Sequence, residues 1–166
     1  DPLTCGSIDN TCSFPSAVTK AQGAVNNTVS SIFLLPGTYK QDVINITDAN
    51  IEISSYNITS PIITTNGDNT NALRSQNSSL VLNNLHFENC TNSCLHITSG
   101  GSTTINGCLF RNNGLKASKG GSIYTTSLLN VNNSIFDSNK IYSSNAEVSN
   151  SAYAYIEGAA VYCGTS

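Results

Sequence analysis

The chain of 166 residues holds only two histidines, and they flank a close pair of cysteines: His86, Cys90, Cys94 and His96. The spacing H-x3-C-x3-C-x-H brings four zinc-type donors into one short stretch. A structural zinc site, however, ordinarily pairs a C-x2-4-C half with a matching second half, and no second half follows. In a secreted chain, cysteines this close form a local disulfide instead. The same reasoning applies to Cys5 and Cys12. Two disulfides, Cys5–Cys12 and Cys90–Cys94, are therefore expected, with both histidines facing solvent and no metal site. Cys108 falls in a small apolar column and reads as a buried free thiol. Cys163 has no evident partner in register, and six cysteines formally allow fifteen pairings.

The carboxylates offer little to catalysis. Asp42, Asp48, Glu52, Asp68, Glu88 and Asp137 are scattered and include no Asp-Asp pair, whereas glycoside hydrolysis needs two carboxyl groups held at a set distance. Only Glu88 and Asp137 share a repeat column, with Arg111 between them. That stack reads as a surface ladder of alternating charge rather than a catalytic pair. No G-x-S-x-G, H-E-x-x-H or P-loop occurs. No catalytic residue and no cofactor is expected, and the chain does not read as an enzyme.

Chemistry done to the protein is better represented. Six N-x-[ST] sequons stand at Asn26, Asn45, Asn57, Asn77, Asn89 and Asn132. They point, with the cysteine pairs, to a secreted glycoprotein carrying N-linked glycans. Glycans are expected at Asn26, Asn45, Asn57 and Asn77, with Asn89 a further candidate beside Cys90. None is expected at Asn132, which is assigned to a buried ladder. The chain opens Asp-Pro-Leu-Thr-Cys, so a secretion signal is expected to have been removed already. No run approaches the roughly 20 apolar residues of a membrane span. Charged residues make up 10% and the net charge is −3, which leaves no basic stripe for a nucleic acid.

The elements that must position these groups are set by a repeat. Asparagine (23), serine (24) and threonine (17) dominate, yet Ile, Val and Leu recur in short clusters and charge is low, unlike a disordered chain. Aligning Leu80–Phe87, Thr103–Phe110 and Leu129–Phe136 on Phe87, Phe110 and Phe136 gives steps of 23 and 26 residues. Five before each Phe stand Leu82, Ile105 and Val131, and four before stand Asn83, Asn106 and Asn132. Three after stand Cys90, Asn113 and Asn139. Thirteen before stand Ile97 and Ile123, the latter in Gly120-Gly-Ser-Ile-Tyr124, echoed by Gly158-Ala-Ala-Val-Tyr162.

Such a step suits one coil of a parallel β-helix, with two or three short strands per coil. The apolar positions at Phe, two before and five before cannot share one alternation. A bend at the Asn-Asn or Asn-Gly pair, which tolerates positive φ, resolves the conflict. Stacked asparagines about 4.8 Å apart pass amide hydrogen bonds from coil to coil. One such ladder is expected through Asn83, Asn106 and Asn132, a second through Asn113 and Asn139. Threonine pairs occur at Thr64-Thr65, Thr103-Thr104 and Thr125-Thr126, but in this register Thr103 and Thr104 meet Leu129 and Asn130, which breaks the single column an ice-binding face would require.

Phe14, Val18, Ala21 and Val25 are spaced along one helical face, with Ser13 as cap and Pro15 in the first turn. This helix would cover the exposed edge of the first coil. The strands Ile32–Leu35, Val43–Ile46 and Ile51–Ile53 follow, then Ile58 and Pro61–Ile63. The expected organisation is one domain: a cap over residues 1–31, coils over 32–139, an inserted loop over 140–157 rich in Ser, Asn, Ala and Tyr, and the start of a further coil over 158–166. Length divided by the repeat gives six to seven coils.

Ala17-Val-Thr-Lys-Ala21, Ile32-Phe-Leu-Leu-Pro-Gly-Thr-Tyr39 and Ile51-Glu-Ile-Ser54 resemble the N-terminal signature of the pectin-lyase-like right-handed β-helices. Gly120-Gly-Ser-Ile-Tyr124 and the F-x-x-N elements are similar to the repeats of polymorphic outer-membrane adhesins and of Asn-rich secreted β-helix proteins. The resemblance spans about residues 13–139 plus 158–163. It implies an all-β, right-handed parallel β-helix with an N-terminal helical cap, and it implies no particular activity.

The expected function is that of an extracellular, glycosylated structural or adhesive module at a cell surface. It would associate end to end into a fibre through an exposed last coil, or bind a cell-surface or glycan partner. Two other functions fit the fold. One is a polysaccharide lyase or glycoside hydrolase with catalytic coils beyond Ser166. The other is a non-catalytic glycan-binding module, for which Tyr142, Tyr153 and Tyr155 are the candidates.

Overall fold

The structure, a computed structural model, describes residues 12–23, 28–67, 70–114, 120–140 and 160–164. One helix, α1 (Phe14–Gln22), precedes thirteen strands: β1 (Ser30–Leu34), β2 (Thr38–Gln41), β3 (Ile44–Thr47), β4 (Asn50–Ser55), β5 (Ile62–Thr65), β6 (Leu73–Asn83), β7 (His86–Glu88), β8 (Leu95–Asn106), β9 (Leu109–Arg111), β10 (Ile123–Thr125), β11 (Leu128–Asn132), β12 (Ile135–Asp137) and β13 (Val161–Cys163). Among the described residues every strand pairing is parallel, and the chain winds into a parallel β-helix.

Each coil presents three faces. The first stacks β1, β4, residues 78–83 of β6, residues 101–106 of β8, and β11. The second stacks β2, β5, β7, β9 and β12. The third stacks β3, residues 73–76, residues 95–98, β10 and β13. Among the described residues the second face carries five rungs, against the six to seven coils that length implies. The predicted insertion falls between Asp137 and Val161, and residues 141–159 lie outside the described ones.

Three left-handed columns turn the corners. Asn84, Gly107 and Asn133 (φ 54°, 60° and 49°) form the first, Asn89, Asn112 and Ser138 (56°, 53° and 55°) the second, and Asp48, Asn77 and Ser99 (51°, 49° and 38°) the third. Asparagine and aspartate enter this region at little cost, because their short polar side chains hydrogen-bond locally. This accounts for part of the asparagine content. At the third corner Gly101 has no alternative: a Cβ there would sit 2.1 Å from the Ser78 carbonyl oxygen, at φ 76°.

Inside, apolar side chains stack by column. Ile32, Ile53, Leu82 and Ile105 line one row, and Leu73, Leu95 and Ile123 another. The second face runs Tyr39, Ile63, Phe87, Phe110, Phe136. The rings of Phe87, Phe110 and Phe136 lie 4.9 Å apart at 6° in both steps. Offset ring pairs of this kind add about 0.5–1.5 kcal/mol beyond their burial.

Two expectations of the repeat are corrected. Ile123 pairs with Leu95, not with Ile97, whose partner is Thr125. The corner at Thr98-Ser99-Gly100-Gly101 carries two more residues than its counterpart at Thr126-Ser127, so counting thirteen back from Phe110 stops two residues short of Leu95. Ile58 is in no strand. It is fully exposed in the loop before β5.

The helix forms where expected. Ser13 Oγ accepts from the Ser16 backbone N–H and Pro15 occupies the first turn. Phe14 and Val18 are buried, and Phe14 meets the Tyr39 ring edge-on at 6.0 Å. Val25 lies outside the described residues. At its C-terminal end the helix closes a strand edge. Gln22 Nε2 donates to the Asn45 carbonyl at 3.1 Å, and Gln22 Oε1 accepts from the Thr47 N–H at 2.9 Å. One side-chain amide thus takes the place of a neighbouring strand along β3, where an open edge would otherwise invite pairing with another chain.

Candidate functional site

The outward ladder runs through β6, β8 and β11. Asn106 Nδ2 donates to Asn83 Oδ1 at 2.8 Å, and Asn132 Nδ2 donates to Asn106 Oδ1 at 2.9 Å. It continues into the second coil, where Asn83 Nδ2 donates to Glu52 Oε1 at 2.7 Å and to Ser54 Oγ at 3.0 Å. The ladder stands on the outer surface, and Asn132 is exposed. Its position therefore does not exclude a glycan by burial, contrary to expectation, although its amide nitrogen is engaged.

Asn113 and Asn139 behave differently. Both are buried, at 0% and 6% exposure, and neither amide bonds the other. Asn113 Nδ2 donates to the Phe87 carbonyl, and its Oδ1 accepts from the Cys90 N–H, both at 3.0 Å. One coil later Asn139 Nδ2 donates to the Phe110 carbonyl at 3.0 Å, and its Oδ1 accepts from the Asn113 N–H at 3.1 Å. The expected side-chain ladder is instead a side-chain-to-backbone clamp. The corner after each phenylalanine leaves one carbonyl and one N–H without strand partners, and buried backbone groups must be satisfied.

Cys90 and Cys94 are joined, with Cα atoms 5.4 Å apart, so neither is available as a metal ligand. Among the described residues no group of three or more His, Cys, Asp or Glu side chains could hold a metal ion. Cys12 is disulfide-bonded; its expected partner Cys5 lies outside the described residues. His86 Nε2 stands 3.9 Å from Glu88 Oε2, and burial, the main influence on it, lowers the pKa of His86. The register aligns Glu88, Arg111 and Asp137. Arg111 Nε donates to Asp137 Oδ2 at 3.0 Å across two half-exposed side chains, a geometry with little energetic weight in water.

Cys108 is a buried free thiol stacked with Leu85 and Ser134. Burial pushes its pKa up to about 11, which keeps it protonated and unreactive. Cys163 is a free, exposed thiol in register with Thr125.

One outward column went unrecognised in the sequence. Arg74, His96, Tyr124 and Tyr162 stack on the third face. The His96 and Tyr124 rings lie 4.7 Å apart, and those of Tyr124 and Tyr162 lie 5.3 Å apart at 10°. Burial, and then the Arg74 charge, lower the pKa of His96. The echo of Gly120–Tyr124 in Gly158–Tyr162 holds the signal for the two tyrosines. His96 was missed because the longer Gly100-Gly101 corner hides its alignment. The tyrosines proposed for glycan contact, Tyr142, Tyr153 and Tyr155, lie outside the described residues.

Of the sequons, Asn45, Asn57, Asn77, Asn89 and Asn132 are exposed, and Asn26 lies outside the described residues. Asn57 Oδ1 accepts from the Thr59 N–H at 3.0 Å, an Asx turn across the sequon. Among the described residues no helix is long and apolar enough to cross a membrane. No family model, curated protein or solved structure matches this chain.

Proposed function

We propose that this chain is an extracellular, glycosylated structural or adhesive module, built on a solenoid of the pectin-lyase-like kind and related in its repeats to surface adhesins. The observation that carries this reading is how the polar side chains are used. Asn83, Asn106, Asn132, Asn113 and Asn139 all hold one coil to another. Two outward acids are drawn in as well: Glu52 accepts from Asn83, and Asp137 accepts from Arg111. Side chains committed to stacking make a stiff rod rather than a reaction centre. The Cys90–Cys94 bond suits an oxidising compartment, and five exposed sequons suit an extracellular surface.

We propose a mode of contact other than the end-to-end fibre that the sequence suggests. Gln22 already occupies the edge of β3, and α1 packs on the first coil. A neighbouring copy would have to displace both, so we assign contacts to the sides of the rod. The aromatic column Arg74, His96, Tyr124 and Tyr162 favours a second reading, a non-catalytic glycan-binding module using that face.

Immunogold labelling of the producing cells should place the protein outside the plasma membrane, and labelling confined to the cytosol would refute the reading. Incubation with acidic and neutral polysaccharides should release no new reducing or unsaturated ends. Steady depolymerisation would move the chain to the lyases or hydrolases of this fold.

A further inference from the structure

Beside α1 lies a groove of about 810 Å³, lined among others by Pro15, Tyr39, Gln41, Asp42, Asn45 and Asn66. Its size falls within the range of about 300–1,000 Å³ typical of small-molecule sites. Two features of its lining bear on what it could hold. Gln41 is buried to 6% exposure, and its Nε2 has no hydrogen-bond partner. A buried donor left unmade is costly, and an acceptor entering the groove would satisfy it. Asn45 is exposed on β3 and heads the sequon Asn45-Ile-Thr47. Its side-chain amide, unlike those of Asn57 and Asn132, is committed to no other described group.

We infer that the groove is the seat of a saccharide, and that its occupant is the N-linked glycan of Asn45. This rests on the extracellular, glycosylated reading above. The bond itself forms when Asn45 Nδ2 loses a proton and attacks the anomeric carbon of an oligosaccharide carried on a lipid diphosphate. The lipid diphosphate leaves, and a transferase of the secretory pathway supplies the reaction. The first sugar of such a glycan is an N-acetylhexosamine. Its acetamide carbonyl is an acceptor for Gln41 Nε2. Its hydroxyls match the Asp42 carboxylate and the Asn66 amide, and its methyl and C–H faces match Pro15 and Tyr39. Lys40 and Asp42 both line the groove, so the lining has no net charge and favours a neutral sugar over an anion. The glycan would then tie the helical cap to the first coil, beside the bonds Gln22 makes to the Asn45 carbonyl and the Thr47 N–H.

The test uses the full chain secreted from eukaryotic cells. Thr47→Ala removes this sequon while keeping Asn45 and every backbone bond, and Thr59→Ala removes the Asn57 sequon as a control. Glycopeptide mapping should find Asn45 occupied. An endoglycosidase acting on the native protein should release its glycan more slowly than that of Asn57. Amide exchange over residues 14–22 should rise about tenfold in Thr47→Ala and stay unchanged in Thr59→Ala. A bare Asn45 beside an occupied Asn57 would overturn this inference alone. Sequons all bare would overturn the glycosylated reading as well. An occupied Asn45 trimmed as fast as Asn57, with unchanged exchange in Thr47→Ala, would show that the glycan does not sit in the groove.

Discussion

Asn139 stands one coil beyond Asn113 in the buried corner after the phenylalanine column, and its Oδ1 accepts the Asn113 backbone N–H at 3.1 Å. Each of the two amides satisfies a carbonyl and an N–H of the preceding coil that no strand can reach. The outer asparagines do something weaker. They bond one another on a surface where water is an available substitute.

These positions should therefore respond differently to truncation. Asn113→Ala leaves the Phe87 carbonyl and the Cys90 N–H buried without partners, each costing about 1–3 kcal/mol. Asn106→Ala, in the part-buried ladder, should cost about 1 kcal/mol or less. Urea unfolding of both variants checks the order, which would be reversed if the outer ladder held the coils together.

Gln22 offers a second contrast. Gln22→Leu keeps a side chain of similar length but frees the Asn45 carbonyl and the Thr47 N–H. A loss of about 1–2 kcal/mol is expected, with concentration-dependent association through the uncovered edge of β3. Sedimentation velocity across a range of concentrations reads the association directly.

The thiol of Cys108 sets a pH dependence. Its pKa rises from 9.0 to about 11 on folding because of burial. The folded state therefore keeps a proton that the unfolded state releases above pH 9. The stability from this group is fully present below that pH and is lost as the pH climbs toward about 11, by roughly 2–3 kcal/mol in all. Cys108→Val should flatten the decline relative to the parent chain. Cys163, exposed, should react with a thiol reagent in the native protein, while Cys108 should react only on unfolding.

Much of the fold was legible because the side chains that repeat are the ones that stack. Phe87, Phe110 and Phe136 fixed the register of three coils, and the neighbouring Asn83, Asn106 and Asn132 followed at the same offset. The register failed where corner length changed. Gly100-Gly101 displaced Ile97 from Ile123 and concealed the partnership of His96 with Tyr124. The sense of the Asn113–Asn139 pair was also hidden. Nothing in the sequence shows that an asparagine after a corner turns inward to the backbone, since polarity alone places it outside. Ile58 read as strand from its apolar neighbours, but a single apolar residue between Asn57 and Thr59 buries nothing.

The most direct test of the account is a non-reducing peptide map of the protein isolated from the cells that make it. Cys90 and Cys94 should be recovered as one linked peptide, with sugar on Asn45 and on other exposed sequons. Recovery of both cysteines as free thiols, with every sequon asparagine unmodified, would contradict an extracellular, glycosylated rod.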